Sequence, residues 1–216
     1  MNLIFTRPET RLGPYDRWHR TTRLRKRNAA PAGSGEHRLM YRILLFLAII
    51  SLTACDSGSS PDGGGVQLHR LAEKGETASL LAGVAVTGNV DPRDACYRTP
   101  LMFAAQFGRL DTVRELIAAG ARVDLHEKGY YTALMLAAGN GHADVVRTLA
   151  EAGASVNEVE ITHGWTALIW AAKRGHLDTV ELLLSLGADR SVRDDRGWIA
   201  RDWAIDQGHQ QVAAAL

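Results

Sequence analysis

"TPLMFAAQFGRLDTVRELIAAGARVD", residues 99–124, decides how the rest of the chain is read. It opens on Thr99 and Pro100, a pair that starts a helix. The hydroxyl can cap a free N–H of the first turn, and proline at the first helical position gives up an N–H that had no partner anyway. Gly108, nine residues on, ends that helix. Asp111 falls at the start of a second helix, where a carboxylate suits the positive end of the dipole. Val113, Leu116 and Ile117 then follow i, i+3, i+4 and share one inward face. Gly120 closes the second helix before a turn.

The pattern recurs as "TALMLAAGNGHADVVRTLAEAGASVN" from Thr132 and "TALIWAAKRGHLDTVELLLSLGADRS" from Thr166. Thr132 and Thr166 hold the capping slot, Gly141 and Gly175 the first helix end, Asp144 and Asp178 the second helix start, and Gly153 and Gly187 its close. Alanine pairs 104/105, 137/138 and 171/172 are small where neighbouring helices pack closely, and Val180, Leu183 and Leu184 repeat the inward face. A copy from Ile199 lacks the threonine, keeps Gly208, and ends with Asp206, Gln207, Gln210 and Gln211 as a solvated cap. A degenerate copy from Val66 is expected to have lost both its threonine and its glycine rhythm.

A period of about 33 residues headed by T-P-L-x-x-A resembles the ankyrin repeat. The resemblance covers residues 66–216, divided as 66–98, 99–131, 132–165, 166–198 and 199–216. It implies an all-α repeat solenoid, an ankyrin-repeat stack of about five repeats, each a helix-turn-helix followed by a β-turn finger. No single repeat buries its own apolar face, so such a stack folds through its neighbour interfaces.

Ahead of the repeats, residues 40–54 read "MYRILLFLAIISLTA": a positive start at Arg42, an apolar core at 43–50, then small residues before Cys55. That is the layout of a secretory signal peptide. Its core is too short for a bilayer-spanning helix, which needs about 20 residues. The box Leu52-Thr53-Ala54-Cys55 resembles the lipobox of bacterial lipoproteins. The resemblance implies a diacylglyceryl group on the Cys55 thiol, cleavage before it, and membrane anchoring by two or more acyl chains. Residues 55–65, rich in Gly and Ser, read as a flexible tether. Residues 1–39 read as upstream sequence from a misassigned start, with translation beginning at Met40; the alternative is a disordered basic tail. The expected location is the bacterial cell envelope, facing the periplasm. Asp56 resembles an inner-membrane retention signal, but the choice between inner and outer membrane stays open.

The net charge of +1 hides an uneven spread. Residues 1–39 hold nine Lys/Arg against three Asp/Glu, and residues 55–216 hold fifteen against twenty-one. An acidic repeat region argues against nucleic acid as partner. Catalytic and metal-binding patterns do not stand out. His142, His176 and His209 occupy one repeat slot, His69, His126 and His163 have no ligand spacing, and Asp194/Asp195 fall in a finger, where solvation is expected. The chain is therefore expected to be no enzyme and to need no cofactor, metal or small-molecule substrate. Cys96 reads as a small half-buried residue before Thr99, or else as an accessible, redox-sensitive thiol.

The resemblance places partner binding on the finger tips and on the concave side of the first helices. Mapped by repeat position, those slots hold Arg98 and Phe107, Tyr130 and Tyr131, Trp165, Lys173 and Arg174, then Arg196 and Trp198. Four of the five tryptophans, Trp165, Trp170, Trp198 and Trp203, form two pairs separated by 33 residues, which a stack brings together. Aromatic rings beside arginine are the usual make-up of an interface hot spot. The alternative is rings that only stiffen the stack, with Trp170 and Trp203 partly core. The expected function is a lipid-anchored, monomeric periplasmic scaffold for a protein partner. Some bacterial periplasmic ankyrin proteins support a catalase or other oxidative-stress defence, and the layout is similar. An immunity protein against a periplasmic toxic enzyme is the alternative, followed by a Cys96-dependent redox protein.

Overall fold

The computed structural model describes residues 63–216, and the leader, lipobox and most of the tether lie outside the described residues. Ten helices occur among the described residues, in five consecutive pairs. They are α1 Gly63–Lys74 and α2 Thr77–Thr87, α3 Pro100–Gln106 and α4 Leu110–Ala118, and α5 Ala133–Gly139 and α6 Ala143–Glu151. After these come α7 Ala167–Arg174 and α8 Leu177–Ser185, then α9 Ala200–Asp206 and α10 Gln210–Ala215. The first members, α1, α3, α5, α7 and α9, pack side by side as an inner row, and the second members form an outer row behind them. None of these helices is long and apolar enough to cross a membrane.

Each threonine expected to cap does so. Thr99, Thr132 and Thr166 accept from the backbone N–H of Met102, Met135 and Ile169 at 3.3–3.4 Å. The alanine pairs lie at 0 % exposure between neighbouring inner helices, where a larger side chain would force them apart. Leu116, Leu149 and Leu183 fill the space between the two rows, also at 0 %. Exposed Asp206, Gln207, Gln210 and Gln211 close the C-terminal end.

The histidine slot links one repeat to the next. His142 Nε2 donates to the Gln106 carbonyl and His176 Nε2 to the Gly139 carbonyl, both at 3.1 Å. Each ring lies over the preceding repeat's helix-ending glycine: a Cβ on Gly108, Gly141 or Gly175 would sit 2.6–2.7 Å from the imidazole Nδ1 of His142, His176 or His209. All three glycines also have positive φ. These positions demand glycine on two counts, backbone conformation and space.

The first repeat departs from expectation in two ways. Its glycine rhythm is kept in part: Gly75 ends α1 at φ 76°, with Arg109 in the histidine's place, its Nε donating to the Glu73 carbonyl at 2.8 Å, while α2 closes on Gly88, one residue out of register. And α1 begins at Gly63, inside the expected tether. Once Leu68 and Ala72 are buried against the stack, extending the helix by a turn costs only the poor helix propensity of glycine, about 1 kcal/mol per residue.

Every finger is built on a carboxylate. Asp94, Glu127, Glu160 and Asp194 recur with the repeat, and each accepts the backbone N–H two residues on, from Cys96, Gly129, Thr162 and Arg196, at 2.6–2.8 Å. Successive fingers then join: Lys128 N–H donates to the Cys96 carbonyl, Ile161 to Gly129 and Asp195 to His163. Asp194 is therefore not a solvated loop residue; it is 7 % exposed. Burial opposes its ionisation, but the hydrogen bonds it accepts outweigh that and hold its carboxyl below the ordinary range. Glu160, at 0 % exposure, behaves alike.

Candidate protein-interaction face

Trp165 and Trp198 come from the fingers preceding α7 and α9, while Trp170 and Trp203 stand on those helices. The stack makes them one edge-to-face chain. Ring centroids are 4.7 Å apart for Trp170/Trp165, 5.1 Å for Trp165/Trp203 and 5.0 Å for Trp203/Trp198. Tyr131 extends the chain, 5.7 Å from Trp170. Such geometry sets the positive edge of one ring against the negative face of the next.

Asp194 fixes the centre of this chain. Its Oδ2 accepts from the indole N–H of both Trp165 and Trp203, at 3.0 and 2.9 Å. Its Oδ1 accepts from the backbone N–H of Arg196 and Trp198, at 2.8 and 2.9 Å. One carboxylate thus ties the finger backbone to two rings.

Trp165 and Trp203 are buried, at 5 % and 4 % exposure, whereas Trp170 and Trp198 are half-buried. The expected division therefore fails at Trp165, which is floor rather than contact surface, while Trp170 is partly core and Trp203 is buried outright. The cause is Asp194, which needs both indole N–H groups turned inward. Trp170, whose own indole N–H is buried without an acceptor, has no such anchor.

Cations lie over this floor. Lys173 Nζ is 4.1 Å from the Trp165 ring and 4.2 Å from the Trp203 ring. The Arg174 guanidinium lies 5.3 Å from Trp170, and Arg196 the same distance from Trp203. These are cation–π distances, and burial strengthens such contacts. Lys173 makes no hydrogen bond or ion pair with any described residue, while Arg174 donates to the Asn140 side-chain oxygen at 3.2 Å. Burial, aided by the charges of Arg196 and Arg174, lowers the Lys173 amine to about 8.

The earlier repeats carry a thinner version of the same chemistry. Arg98 lies 4.5 Å over Phe103, but its Nε is also bound to Asp94 at 2.8 Å, so it mainly braces its own finger. Tyr130 is exposed and stacked on His126 at 4.0 Å, and Phe107 is 40 % exposed beyond the end of α3. Tyr131 binds the Thr162 hydroxyl at 3.1 Å, and burial pushes its phenol up to about 12. Tyr97, which sequence reasoning passed over, is more exposed than Tyr130 at 51 %. The signal was available: Tyr97 stands 33 residues before Tyr130, and both hold φ 65°, where Gly164 and Gly197 serve the later fingers.

Cys96 is not an accessible thiol; it is 5 % exposed and disulfide-bonded. No group of His, Cys, Asp or Glu among the described residues is arranged to hold a metal ion. His69 instead links α1 to the first finger, its Nε2 lying 3.0 Å from the carbonyls of both Pro92 and Arg98.

Two rows of short helices with hydrogen-bonded fingers and a cation-over-aromatic inner face define a helical repeat scaffold. The family model for ankyrin repeats, in three copies, matches residues 68–160 and 158–216. The chain belongs to the ankyrin-repeat family, whose repeats are protein–protein interaction modules. No curated protein matches it.

Proposed function

We propose that the protein is a lipid-anchored scaffold of the bacterial periplasm, not an enzyme, which holds a protein partner on its inner, finger-side face. The observation that carries this reading is the Trp165–Trp170–Trp198–Trp203 floor topped by Lys173, Arg174 and Arg196. A purely structural ring cluster has no need of three neighbouring cations. Rigid aromatics beside arginine bury much area at little entropic cost, which is how interface anchors work. Anchoring rests on the lipobox at Cys55, and the role in oxidative-stress defence on similarity of layout. An immunity role against a toxic enzyme is the competing reading, and the partner's identity decides between them.

The test is crosslinking in intact Gram-negative cells expressing the full chain, followed by capture. Trp165→Ala would damage the buried floor, so the matched variants are Arg174→Gln and Trp198→Ala. Recovery of one periplasmic protein by the wild type and its loss from both variants supports the reading. Equal recovery removes it. Labelled palmitate tests the anchor, with Cys55→Ser as control. The chain has two cysteines, so a thioether at Cys55 and a disulfide with Cys96 are alternative fates of one sulfur, and intact mass separates them.

A further inference from the structure

The later outer helices share a charged pattern, and α2 breaks it. Asp111 of α4, Asp144 of α6 and Asp178 of α8 hold one repeat slot, where α2 has Ala78. In the slot of Arg114, Arg147 and Glu181 it has Leu81, in that of Glu115 it has Ala82, and in that of Glu151 it has Ala85. No charged residue is left on Thr77–Thr87. The inward side of α2 is set by Leu80, at 0 % exposure, and by Gly83, where a Cβ would lie 2.5 Å from a Leu68 methyl. The opposite side presents Ala78, Ala82, Ala85 and Val86 to solvent, spaced i, i+4, i+7 and i+8, with Ser79 at the edge. Val86 is 87 % exposed, the most open large apolar side chain among the described residues. An end repeat needs a polar outer surface to stay in solution. The C-terminal end has one in Asp206, Gln207, Gln210 and Gln211, and α2 does not.

We infer that this face of α2 rests on the bilayer surface beside the lipid anchor and stands the stack on its first repeat. This rests on the anchoring reading above and adds its geometry. Cys55 comes eight residues before Gly63, where α1 begins, so an anchored chain holds that point within about 29 Å of the lipid. A short tether makes the effective concentration of the bilayer on the order of millimolar, so a contact too weak to hold a free protein is still populated. The uncharged helix is the outer helix of the one repeat that the tether keeps there. The face itself offers no aromatic ring or arginine of the kind that anchors a protein interface. Small uncharged side chains suit shallow burial at the headgroup boundary instead.

Charge is not the attraction. Arg70 and Lys74 on α1 stand beside Glu73 and Glu76, and Lys74 pairs with Glu76 at 3.5 Å, so the contact needs no anionic lipid. Charge does decide the orientation. Laying the whole outer row on the bilayer would dehydrate the exposed Asp111, Glu115, Asp144, Glu151, Asp178 and Glu181. Contact through α2 alone avoids that cost. With neighbouring inner helices about 8–10 Å apart, the tryptophans on α7 and α9 then stand roughly 25–40 Å beyond α1. A partner is met clear of the headgroups.

The experiment is lipid photolabelling. The full chain is expressed in a Gram-negative host, purified in detergent and reconstituted into vesicles of phosphatidylcholine, with or without phosphatidylglycerol. Each carries a phospholipid with a photoreactive diazirine in its acyl chain. After illumination, the tryptic peptide 75–93, which contains α2, should hold roughly ten-fold more label than 175–190, which contains α8, in both kinds of vesicle. The variant Ala78→Asp with Ala82→Glu writes the charges of α4 into two exposed slots of α2. Its label should fall to the level of 175–190, with the acyl mass on Cys55 and the thermal unfolding in detergent unchanged. Equal labelling of the two peptides in an acylated chain overturns the contact and leaves the anchor standing. Label on 75–93 that the variant does not remove, or that appears only with phosphatidylglycerol, overturns the apolar face. A dimer in detergent that the variant disperses gives the face to a second copy and also overturns the proposal. A chain without the acyl mass removes the anchor, and the contact with it.

Discussion

Helices α5 and α7 share one frame and do different work. Ala133–Gly139 reads "ALMLAAG" and Ala167–Arg174 reads "ALIWAAKR". Leu134 and Leu168, Met135 and Ile169, and the two alanine pairs are buried alike. The helices part at three slots, where Leu136, Gly139 and Asn140 in one correspond to Trp170, Lys173 and Arg174 in the other. The difference is complementary. A Cβ on Gly139 would lie 3.6 Å from the Trp170 ring, and Asn140 accepts from Arg174. One repeat is flattened where the next raises its indole and guanidinium. Inward positions build the stack, and outward positions three or four residues away build the face, so one short helix serves both purposes.

The comparison can be broken first at the shared core. Leu149 and Leu183 hold the same inward slot in adjoining outer helices, each at 0 % exposure. Truncation to alanine is expected to cost about 2–5 kcal/mol at either site, measured by urea unfolding. A large inequality between them would mean that the two repeats do not unfold as one cooperative unit. The next effect separates the fingers. Asp194→Ala strands two indole and two backbone N–H groups and should cost about 3 kcal/mol, whereas Glu127→Ala should cost about 1 kcal/mol. Acid should act through the same site. The folded Asp194 and Glu160 carboxyls sit below their ordinary values, so their contribution is full above about pH 5. It declines as pH falls through the lowered values, and Asp194→Ala should flatten that decline.

Much of the fold was legible because its signals are local and periodic. Threonine caps, alanine pairs, helix-ending glycines and acidic first turns each rest on chemistry within one turn of helix, and repetition lets one copy vouch for another. The clustering of four tryptophans followed from the period alone. Their burial did not. Whether an indole faces in or out depends on Asp194, a residue 29 positions from Trp165 and 9 from Trp203, and no local rule connects the three. The finger carboxylates were missed because Asp and Glu alternate in the slot and each, taken singly, resembles a solvated loop residue. Gly75 was overlooked because the repeat around it lacks the threonine that marks the others.

Three glycine exchanges sharpen the contrast at smaller cost. Tyr97 and Tyr130 hold left-handed backbone where the later fingers use Gly164 and Gly197. Tyr97→Gly should stabilise the stack by about 1 kcal/mol and Gly197→Ala should destabilise it by a similar amount, since a Cβ in this region costs about 1–2 kcal/mol. Thermal unfolding reads both. If Tyr97→Gly instead destabilises, the ring's contacts with Arg93 and Lys128 outweigh the backbone strain. In α5, Gly139→Ala makes only ordinary contact with Trp170 and restores helix propensity, a gain of about 0.5–1 kcal/mol.

The smallest effect is a titration. Lys173 replaces the glycine of α5, and the stack holds its amine at about 8, where an ordinary lysine keeps its proton to about 10.4. NMR of the Lys173 side-chain nitrogen should show its midpoint near pH 8. Burial is the leading cause and the flanking guanidinium charges come next, so Arg196→Gln should move the midpoint upward without restoring the ordinary value. The sign for stability follows. Between about pH 8 and pH 10 the unfolded chain holds a proton on this lysine that the folded chain has lost, so this group's contribution grows more favourable as pH rises. Below pH 8 the ammonium is a standing cost, since burial strips part of its hydration and the charges of Arg196 and Arg174 oppose it more than those of Asp206 and Asp194 favour it. A midpoint at the ordinary lysine value in the unliganded chain would mean that water reaches Nζ freely, and the outward slots of α7 would then be as ordinary as those of α5.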